Sequence, residues 1–291
     1  MIVPFAPGGG TDVVGRLIGQ RLENTWGVPV VIDNRPGAGS TVGTGMTAKA
    51  TPDGYNLGVT SMSLAINATL YRSLPYDALK DLTSIILAAR APNVLVVNPS
   101  VPAHTVKELI AYAKAHPGKL NFSSSGTGGV SHLSAEVFRA AAGIDMVHVP
   151  YRGAGPAMTA LIAGEAQVMM ATTPVALPQM KAKRLRAIAI SSRSRSPLAP
   201  DLPTIAENGF PGFETDTWYG LIGPGGMPSA IVRRINTEIA RLLDTPDMKT
   251  ALAQQGAQPA GGSPEDFHRF IAAEIEKWGK AIRAAKVPPA N

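Results

Sequence analysis

The chain has 291 residues, of which 45% are hydrophobic and 5% aromatic, with 30 glycines, 25 prolines, no cysteine and a formal charge of +6. This composition excludes a disordered or collagen-like chain and allows two lobes with separate cores. The absence of cysteine excludes disulfides and thiolate metal sites. No uninterrupted apolar run approaches the ~20 residues that span a bilayer. The basic residues are scattered and aromatic residues are few, which argues against a nucleic-acid-binding surface.

Short β-branched runs alternate with helical patterns along most of the chain, which predicts an α/β architecture with largely parallel sheets. The predicted strands are, in chain order, "IVPF", "VPVVID", "LGVTS", "TSIILAA", "NVLVVN", "KLNFSS", "DMVHVP", "QVMMAT", "LRAIAIS" and "YGLIG". The segments "TDVVGRLIGQRLENT" and "TVKELIAYAKAH" repeat apolar residues at helical spacing. After Met227 the strand signal thins. Two further helices are predicted there, the second with Ser263 as N-cap and Pro264 at its first position, and both are expected to pack on a lobe already formed.

Two segments repeat the order strand, glycine loop, helix: "IVPFAPGGGTDVVGRL" and "LNFSSSGTGGVSHLSAEVF". Ligands of α/β sheets collect at the carboxyl ends of strands, where helix N-termini expose unpaired N–H groups. Each loop is therefore predicted to bind part of an anion in its own lobe. A tight turn without a ligand is the alternative for the first loop, in which Thr11 or Asp12 is the expected N-cap. Hydroxyl groups such as that of Ser131 strengthen the prediction for the second.

Other motifs argue for capture of a ligand over catalysis. The segment "RPGAGSTVGTG" is one residue too long for a dinucleotide fingerprint, and no phosphate-binding P-loop or nucleophile elbow is present. His132 lies in the first turn of its helix, either as a structural bridge or as a ligand contact. His132 and Glu136 lie four residues apart, but two possible ligands are too few to predict a metal site. We expect no cofactor and no metal.

Five segments in this order, "IVPFAPGGGTDVVGR", "IDNRPGAGSTVGT", "SSSGTGGVSHL", "VPYRGAGPA" and "TWYGLIGPGGMP", resemble the Bug family of extracytoplasmic solute receptors, the binding components of tripartite tricarboxylate transporters. The likeness extends over essentially the whole chain. It implies a type II periplasmic binding protein fold, with two α/β lobes joined by a two-strand hinge and the ligand between them. The extended segments 93–100 and 218–226 then predict lobe 1 as residues 1–98 with 224–291, and lobe 2 as residues 99–223.

The resemblance also implies a small carboxylate ligand held by both loops. The residues that match the family's binding regions are Pro7, Gly8, Gly9, Thr11 and Asp12 in the first loop, Ser125, Gly126, Thr127, Gly128 and His132 in the second, and Ser61, Ser63, Tyr151, Thr172 and Asp216 elsewhere in the cleft. A cation for the far end of the ligand is not evident; Arg72, Arg90 and Arg152 are the nearest candidates by position.

The expected function is therefore a receptor, and not an enzyme, that delivers a di- or tricarboxylate, an acidic amino acid or an aromatic acid to a membrane permease. The chain is expected to be monomeric, without nucleic-acid partners. No basic stretch followed by an apolar run opens the sequence, yet the resemblance implies a periplasmic location and a leader missing from this chain. Two alternatives stay open: an enzyme acting on a small anionic substrate through Ser125 or His132, and a ligand-responsive sensor.

Overall fold

The computed structural model describes residues 1–196 and 199–290, so positions 197, 198 and 291 of the predicted lobe ranges lie outside it. The strands are β1 (Ile2–Val3), β2 (Asp33–Asn34), β3 (Gly58–Ser61), β4 (Leu82–Ala91), β5 (Asn93–Val97), β6 (Leu120–Ser124), β7 (Met146–Pro150), β8 (Val168–Thr172), β9 (Arg186–Ile190), β10 (Thr217–Pro224) and β11 (Gln258–Gly261). The helices are α1 (Gly10–Trp26), α2 (Thr41–Ala48), α3 (Ser63–Leu70), α4 (Val106–Ala115), α5 (Val130–Ala142), α6 (Ala154–Ala163), α7 (Thr173–Lys181), α8 (Ser229–Asp244), α9 (Pro246–Gln254) and α10 (Pro264–Ala284).

Each lobe is built on its own sheet. The first lobe has six strands in the order β11-β4-β10-β3-β1-β2, and the second has five in the order β7-β6-β8-β5-β9. Both sheets are mixed: β1 is parallel to β2 and β3, and β6 is parallel to β7 and β8, whereas β10 and β5 are antiparallel to their neighbours. The expectation of largely parallel sheets is therefore wrong. The reversed strands are β5 and β10, the first strand after each passage between the lobes, and each runs opposite to the strands on both of its sides.

The chain passes between the lobes at Pro92, which separates β4 from β5, and again between β9 and β10. The lobe boundaries expected at residues 98 and 223 are therefore corrected, because β5 belongs to the second sheet and β10 to the first. Buried apolar strands look alike in sequence whichever sheet they join, so the pattern could not place these crossings. Hydrogen bonds tie the two passages together: the Asn93 Nδ2 group donates to the Thr215 carbonyl, and the Asn93 N–H donates to the Ser191 hydroxyl at 3.0 Å.

Two strands differ from the sequence prediction. The segment "VPVVID" forms a strand only at its end, in β2, and its residues Val28 and Val31 are exposed. The strand β11 was not predicted, because its sequence "QPAG" contains proline and glycine, which strands disfavour. The N-terminus of α10 is confirmed: Ser263 and Asp266 form a reciprocal capping box and Pro264 is the first residue.

The apolar cores bring the lobes into contact. In the first lobe, α8 and α9 pack against β4 and β10, and α10 packs on α3, so the late helices do cover a lobe formed by earlier residues. Val130 and Leu133 of α5, in the second lobe, join the same apolar cluster as Ile66 and Leu70 of α3. The two lobes therefore meet through side chains beside the cleft. Among the described helices, none combines the length and apolar character required to cross a membrane.

Candidate functional site

Two helices, one from each lobe, begin at the cleft without a side-chain cap. The N-cap of α1 is Gly9 and that of α5 is Gly129, and neither helix start receives a side-chain hydrogen bond. The predicted N-cap role of Thr11 or Asp12 is therefore wrong, because α1 begins at Gly10 and both residues lie in its first turn. The first-turn N–H groups of a helix have no intrahelical acceptor. They carry the positive end of the helix dipole, which favours an anion.

A compact inner cavity of about 30 Å³ lies between these helix starts. Its walls come from both lobes, so each lobe contributes one part of it. The residues that line it are Phe5, Gly9, Gly10, Thr11, Ser61, Ser125, Val130, Ser131, Ala154, Met169, Thr172 and Tyr219. None of these residues, all within the described ranges, carries a charged side chain. The cavity thus combines main-chain N–H groups, hydroxyls and an apolar wall.

Three hydroxyl groups on this wall are buried and have no hydrogen-bond partner among the described residues: those of Ser61, Thr172 and Tyr219. The Tyr219 hydroxyl lies close to Thr172 and Thr217, but no hydrogen bond of acceptable geometry joins them. Burial raises the pKa of Tyr219 well above its ordinary value, so the phenol remains protonated. A buried hydroxyl without a partner costs free energy, and such groups call for an explanation. Here they supply three donors to the cavity.

The glycine loops leave room for these groups. A Cβ atom on Gly10 would lie only 2.2 Å from the Tyr219 hydroxyl and 3.1 Å from the Thr172 hydroxyl, so only glycine lets Tyr219 rest against the first turn of α1. In the second loop the Ser131 hydroxyl accepts a hydrogen bond from the Ser125 N–H at 2.7 Å and donates to the Ser125 hydroxyl at 3.0 Å. Ser125 is thereby oriented with its own hydroxyl proton uncommitted.

Asp12 is turned away from the cavity and holds the first loop in place. Its carboxylate accepts hydrogen bonds from the Gly8 N–H at 2.9 Å, from Arg16 at 3.0 Å and from Asn34 at 2.8 Å. Burial alone would raise the pKa of Asp12, but the hydrogen bonds from Arg16, Gly8 and Asn34 outweigh it and the pKa lies below its ordinary value. The negative charge is therefore matched locally, and it does not compete with an anion in the cavity.

His132 is enclosed behind the second loop. Its Nδ1 atom accepts a hydrogen bond from the Gly128 N–H at 3.3 Å, and its ring stacks on His148 with centroids 4.0 Å apart. The His148 Nε2 atom lies 2.6 Å from the Ser124 hydroxyl. Burial, with the nearby His148 and Arg139, lowers the pKa of His132 to about 3, and burial lowers that of His148 to about 4. Both rings stay neutral at pH 7 and support the loop from behind.

A wider outer cavity of about 430 Å³ adjoins the inner one and shares Phe5 and Ser125 with it. Its lining residues are Phe5, Gly37, Ala38, Gly39, Ser40, Tyr71, Ser125, Gly126, Thr127, Pro150, Tyr151, Arg152 and Ala290. Of the three candidate arginines, only Arg152 lines this cavity, and it is exposed. The Arg90 guanidinium lies over the Phe270 ring, 4.7 Å from its centroid.

The structure brings together most of the residues matched to the family's binding regions. Those that line the inner cavity are Gly9, Thr11, Ser61, Ser125 and Thr172, and those that line the outer one are Gly126, Thr127 and Tyr151. Those that line neither are Pro7, Gly8, Asp12, Ser63, Gly128, His132 and Asp216.

Of this last group, Asp216 accepts from Ser191 at the lobe crossing, and burial raises its pKa to about 6. Ser63 is completely buried. Neither contacts the cavity.

Sequence reasoning missed the apolar wall and Tyr219. Phe5, Met169 and Tyr219 lie in strands or beside them and carry only the signal of core residues. A strand directs alternate side chains to opposite faces, but which face meets the cleft depends on the neighbouring strands. Within the described residues no group of three His, Cys, Asp or Glu side chains is placed to hold a metal ion.

Two α/β lobes with an anion-type cavity between facing helix starts define a two-lobed solute-binding protein. The chain belongs to the tripartite tricarboxylate transporter receptor family: the family model described as "Tripartite tricarboxylate transporter family receptor" matches residues 14–287. The resemblance found in the sequence is thereby confirmed.

Solved structures agree closely with this fold. The chain is similar to Rpa4515 of R. palustris, solved with adipate, with a TM-score of 0.96, 37% identity, and coverage of 99% of this chain and 97% of that one. It is similar to the periplasmic binding protein BugD, with a TM-score of 0.95, 31% identity and coverage of 99% and 97%. It is also similar to MatC (Rpa3494) from Rhodopseudomonas palustris, solved with malate, with a TM-score of 0.93, 33% identity and coverage of 97% of each chain.

These relations confirm the two-lobed periplasmic binding protein fold. They also confirm that the chain is a solute-binding receptor and not an enzyme. Of the two residues named for the enzyme alternative, His132 supports a loop and lines neither cavity, whereas Ser125 lines both.

Proposed function

We propose that this chain captures a small organic carboxylate in the inner cavity and delivers it to the membrane permease of a tripartite tricarboxylate-type transporter. One observation carries the proposal: the capless N-termini of α1 and α5, from different lobes, meet at one cavity together with three unpartnered buried hydroxyls. The adipate and malate bound by two similar proteins support a carboxylate as the ligand class.

Neutral hydrogen-bond donors are sufficient to bind a carboxylate at this site. A carboxylate placed between the helix starts accepts from first-turn N–H groups on both sides, and each hydrogen bond to a charged group contributes about 1.5–3 kcal/mol. The two helix dipoles add about 0.3–1 kcal/mol each. No buried cation is needed, so closing the lobes does not have to desolvate an arginine. Ser61, Ser125, Thr172 and Tyr219 add hydroxyl donors, while the apolar wall accommodates the carbon skeleton.

The binding cycle requires the lobes to separate and close. A ligand that enters through the outer cavity first binds the glycine loop of one lobe. The lobes then close about the two passages of the chain between them, and the glycine loop of the other lobe comes into contact with the ligand. Both halves of the site come from one chain, so a monomer is sufficient. Delivery to a permease and a periplasmic location are part of the proposal, supported by the receptor family and by its similarity to a periplasmic binding protein.

Thermal unfolding with a panel of mono-, di- and tricarboxylates tests the ligand class. A ligand present at 100 times its Kd stabilises the folded chain by about 2.7 kcal/mol, which shifts the unfolding temperature by several degrees. Calorimetric titration of each positive acid should give one site per chain. Recovery of the unchanged acid after long incubation distinguishes a receptor from an enzyme. A panel in which neutral amides of the same acids bind equally well would contradict a site built for negative charge.

A further inference from the structure

The segment 37–40 has an unusual backbone next to the cleft. Four consecutive residues have positive φ angles: 148° at Gly37, 41° at Ala38, 59° at Gly39 and 94° at Ser40. The left-handed region is costly for residues with a Cβ atom, and such strain persists only where the surroundings impose it. Buried Asn67 supplies that constraint, since its Nδ2 group donates to the Gly39 carbonyl at 2.8 Å and to the Ser40 hydroxyl at 3.2 Å.

This strained loop touches the second lobe directly. A Cβ atom on Gly39 would lie 2.0 Å from the Thr127 carbonyl oxygen, and one on Gly128 would lie 2.3 Å from the Asn67 Oδ1 atom. The Tyr71 hydroxyl donates a hydrogen bond to the same Thr127 carbonyl at 3.2 Å. The two loops therefore meet main chain against main chain, which only glycine at both positions allows.

None of these residues lines the inner cavity. Gly39, Tyr71 and Thr127 line only the outer one, and their close approach leaves no space for a ligand between them. On its other side the Thr127 loop carries Ser125 and leads into α5, which form half of the inner cavity. A contact that fixes this loop against the first lobe thus also fixes the distance between the two halves of the site.

We infer that Gly39, Ser40, Asn67 and Tyr71 in the first lobe form a closure latch with Thr127 and Gly128 in the second. The latch stabilises the closed arrangement of the lobes without contacting the bound carboxylate. A ligand binds tightly only to the closed form, so its apparent affinity scales with the population of that form. The latch therefore changes the affinity for every ligand by the same factor, whereas residues of the inner cavity distinguish one ligand from another.

Two substitutions, each with a matched control, test the latch. Gly39→Ala places a Cβ against Thr127, and its control is Gly143→Ala, which has a similar φ of 58° but open space around the new Cβ. Tyr71→Phe removes the hydroxyl that crosses the lobes, and its control is Tyr55→Phe, whose side chain is 89% exposed. Because the Gly pair shares the backbone cost, any difference within it reports the contact between the lobes.

The first readout is calorimetric titration with adipate and with malate, and it rests on the proposed function. Loss of one neutral hydrogen bond in Tyr71→Phe should raise both Kd values about two- to tenfold, and Gly39→Ala should raise both at least tenfold. Both controls should leave Kd unchanged. A factor that differs between the two acids would assign these residues to the ligand, and an unchanged Kd in both variants would overturn the latch.

The second readout uses the chain without ligand, so it separates failure of the latch from failure of the proposed function. Amide hydrogen exchange at residues 127–129 and 37–40 should be about tenfold faster in Gly39→Ala than in Gly143→Ala, since opening exposes both loops. If no acid of the carboxylate panel binds the unaltered chain, the ligand proposal fails and the exchange rates alone decide on the latch. Equal exchange in the Gly39 and Gly143 variants would refute the latch.

Discussion

Tyr219→Phe separates a structural tyrosine from one that binds ligand, because the two roles predict opposite changes in stability. The Tyr219 ring is 1% exposed and its hydroxyl makes no hydrogen bond within the described residues. Removing a buried hydroxyl that has no partner recovers a desolvation cost of about 1–3 kcal/mol, less whatever weak contact with Thr172 and Thr217 is lost. The ligand-free variant is therefore expected to be about 1 kcal/mol more stable in urea unfolding.

Binding should change in the other direction. If the Tyr219 hydroxyl donates to a carboxylate, its loss removes one hydrogen bond to a charged group, about 1.5–3 kcal/mol. This corresponds to a Kd raised roughly 10- to 150-fold, measured by calorimetric titration with whichever acid stabilises the unaltered chain most. The loss in binding exceeds the gain in stability, so both effects should be resolved in one pair of experiments.

Thr60→Val is the matched control. The Thr60 hydroxyl is also buried and unpartnered, but Thr60 does not line the cavity, whereas the next residue on its strand, Ser61, does. This variant should gain similar stability and bind with unchanged affinity. Unchanged affinity in Tyr219→Phe, or an equal loss in Thr60→Val, would refute the assignment of the hydroxyl to the ligand.

Two further predictions concern the first loop and the buried rings. Gly10→Ala drives a Cβ into the Tyr219 hydroxyl at 2.2 Å, so we expect a Kd raised at least 100-fold and a stability loss of about 1–3 kcal/mol from overpacking; normal binding would contradict the site. Near pH 5 the unfolded chain binds two protons that the folded chain does not, because the folded pKa values of His132 and His148 are about 3 and 4. Folded Asp216, with a pKa of about 6, keeps one proton that the unfolded chain releases. The net difference of one proton from these three groups makes stability fall by about 1.4 kcal/mol per pH unit as the pH decreases through pH 5. Urea unfolding at several pH values should show this slope, and His132→Phe should reduce it by about 1.4 kcal/mol per pH unit; an equal slope in that variant would show that the ring titrates normally.

Much of the site could be predicted because its signals are local. Glycine loops between a strand and a helix identify helix starts that are free to bind an anion, and Gly9, Thr11 and Ser125 do line the inner cavity. The N-terminus of α10 could also be predicted, because the residues of its capping box, Ser263 and Asp266, lie within four residues of each other. Local chemistry of this kind does not depend on how the sheets are ordered.

The rest depends on long-range pairing. Tyr219 reads as a core residue of a buried strand, and only the packing of β10 between β3 and β4 brings its hydroxyl to α1. Asp12 was expected in the cleft, but Asn34, which follows it by 22 positions, helps to turn it away. The segment 37–40 suggested an imperfect nucleotide motif, and its contact with Thr127, on the other lobe, could not be foreseen from spacing alone.

The central claim is that helix starts from both lobes hold one carboxylate group through main-chain N–H groups. A crystal structure of the chain with malate or adipate, whichever binds more tightly, tests it most directly. We predict that oxygens of a single carboxylate lie within 3.2 Å of first-turn nitrogens of α1 and of α5, the range of an N–H···O hydrogen bond. A carboxylate bound to one lobe only, or located in the outer cavity against Arg152, would contradict the account.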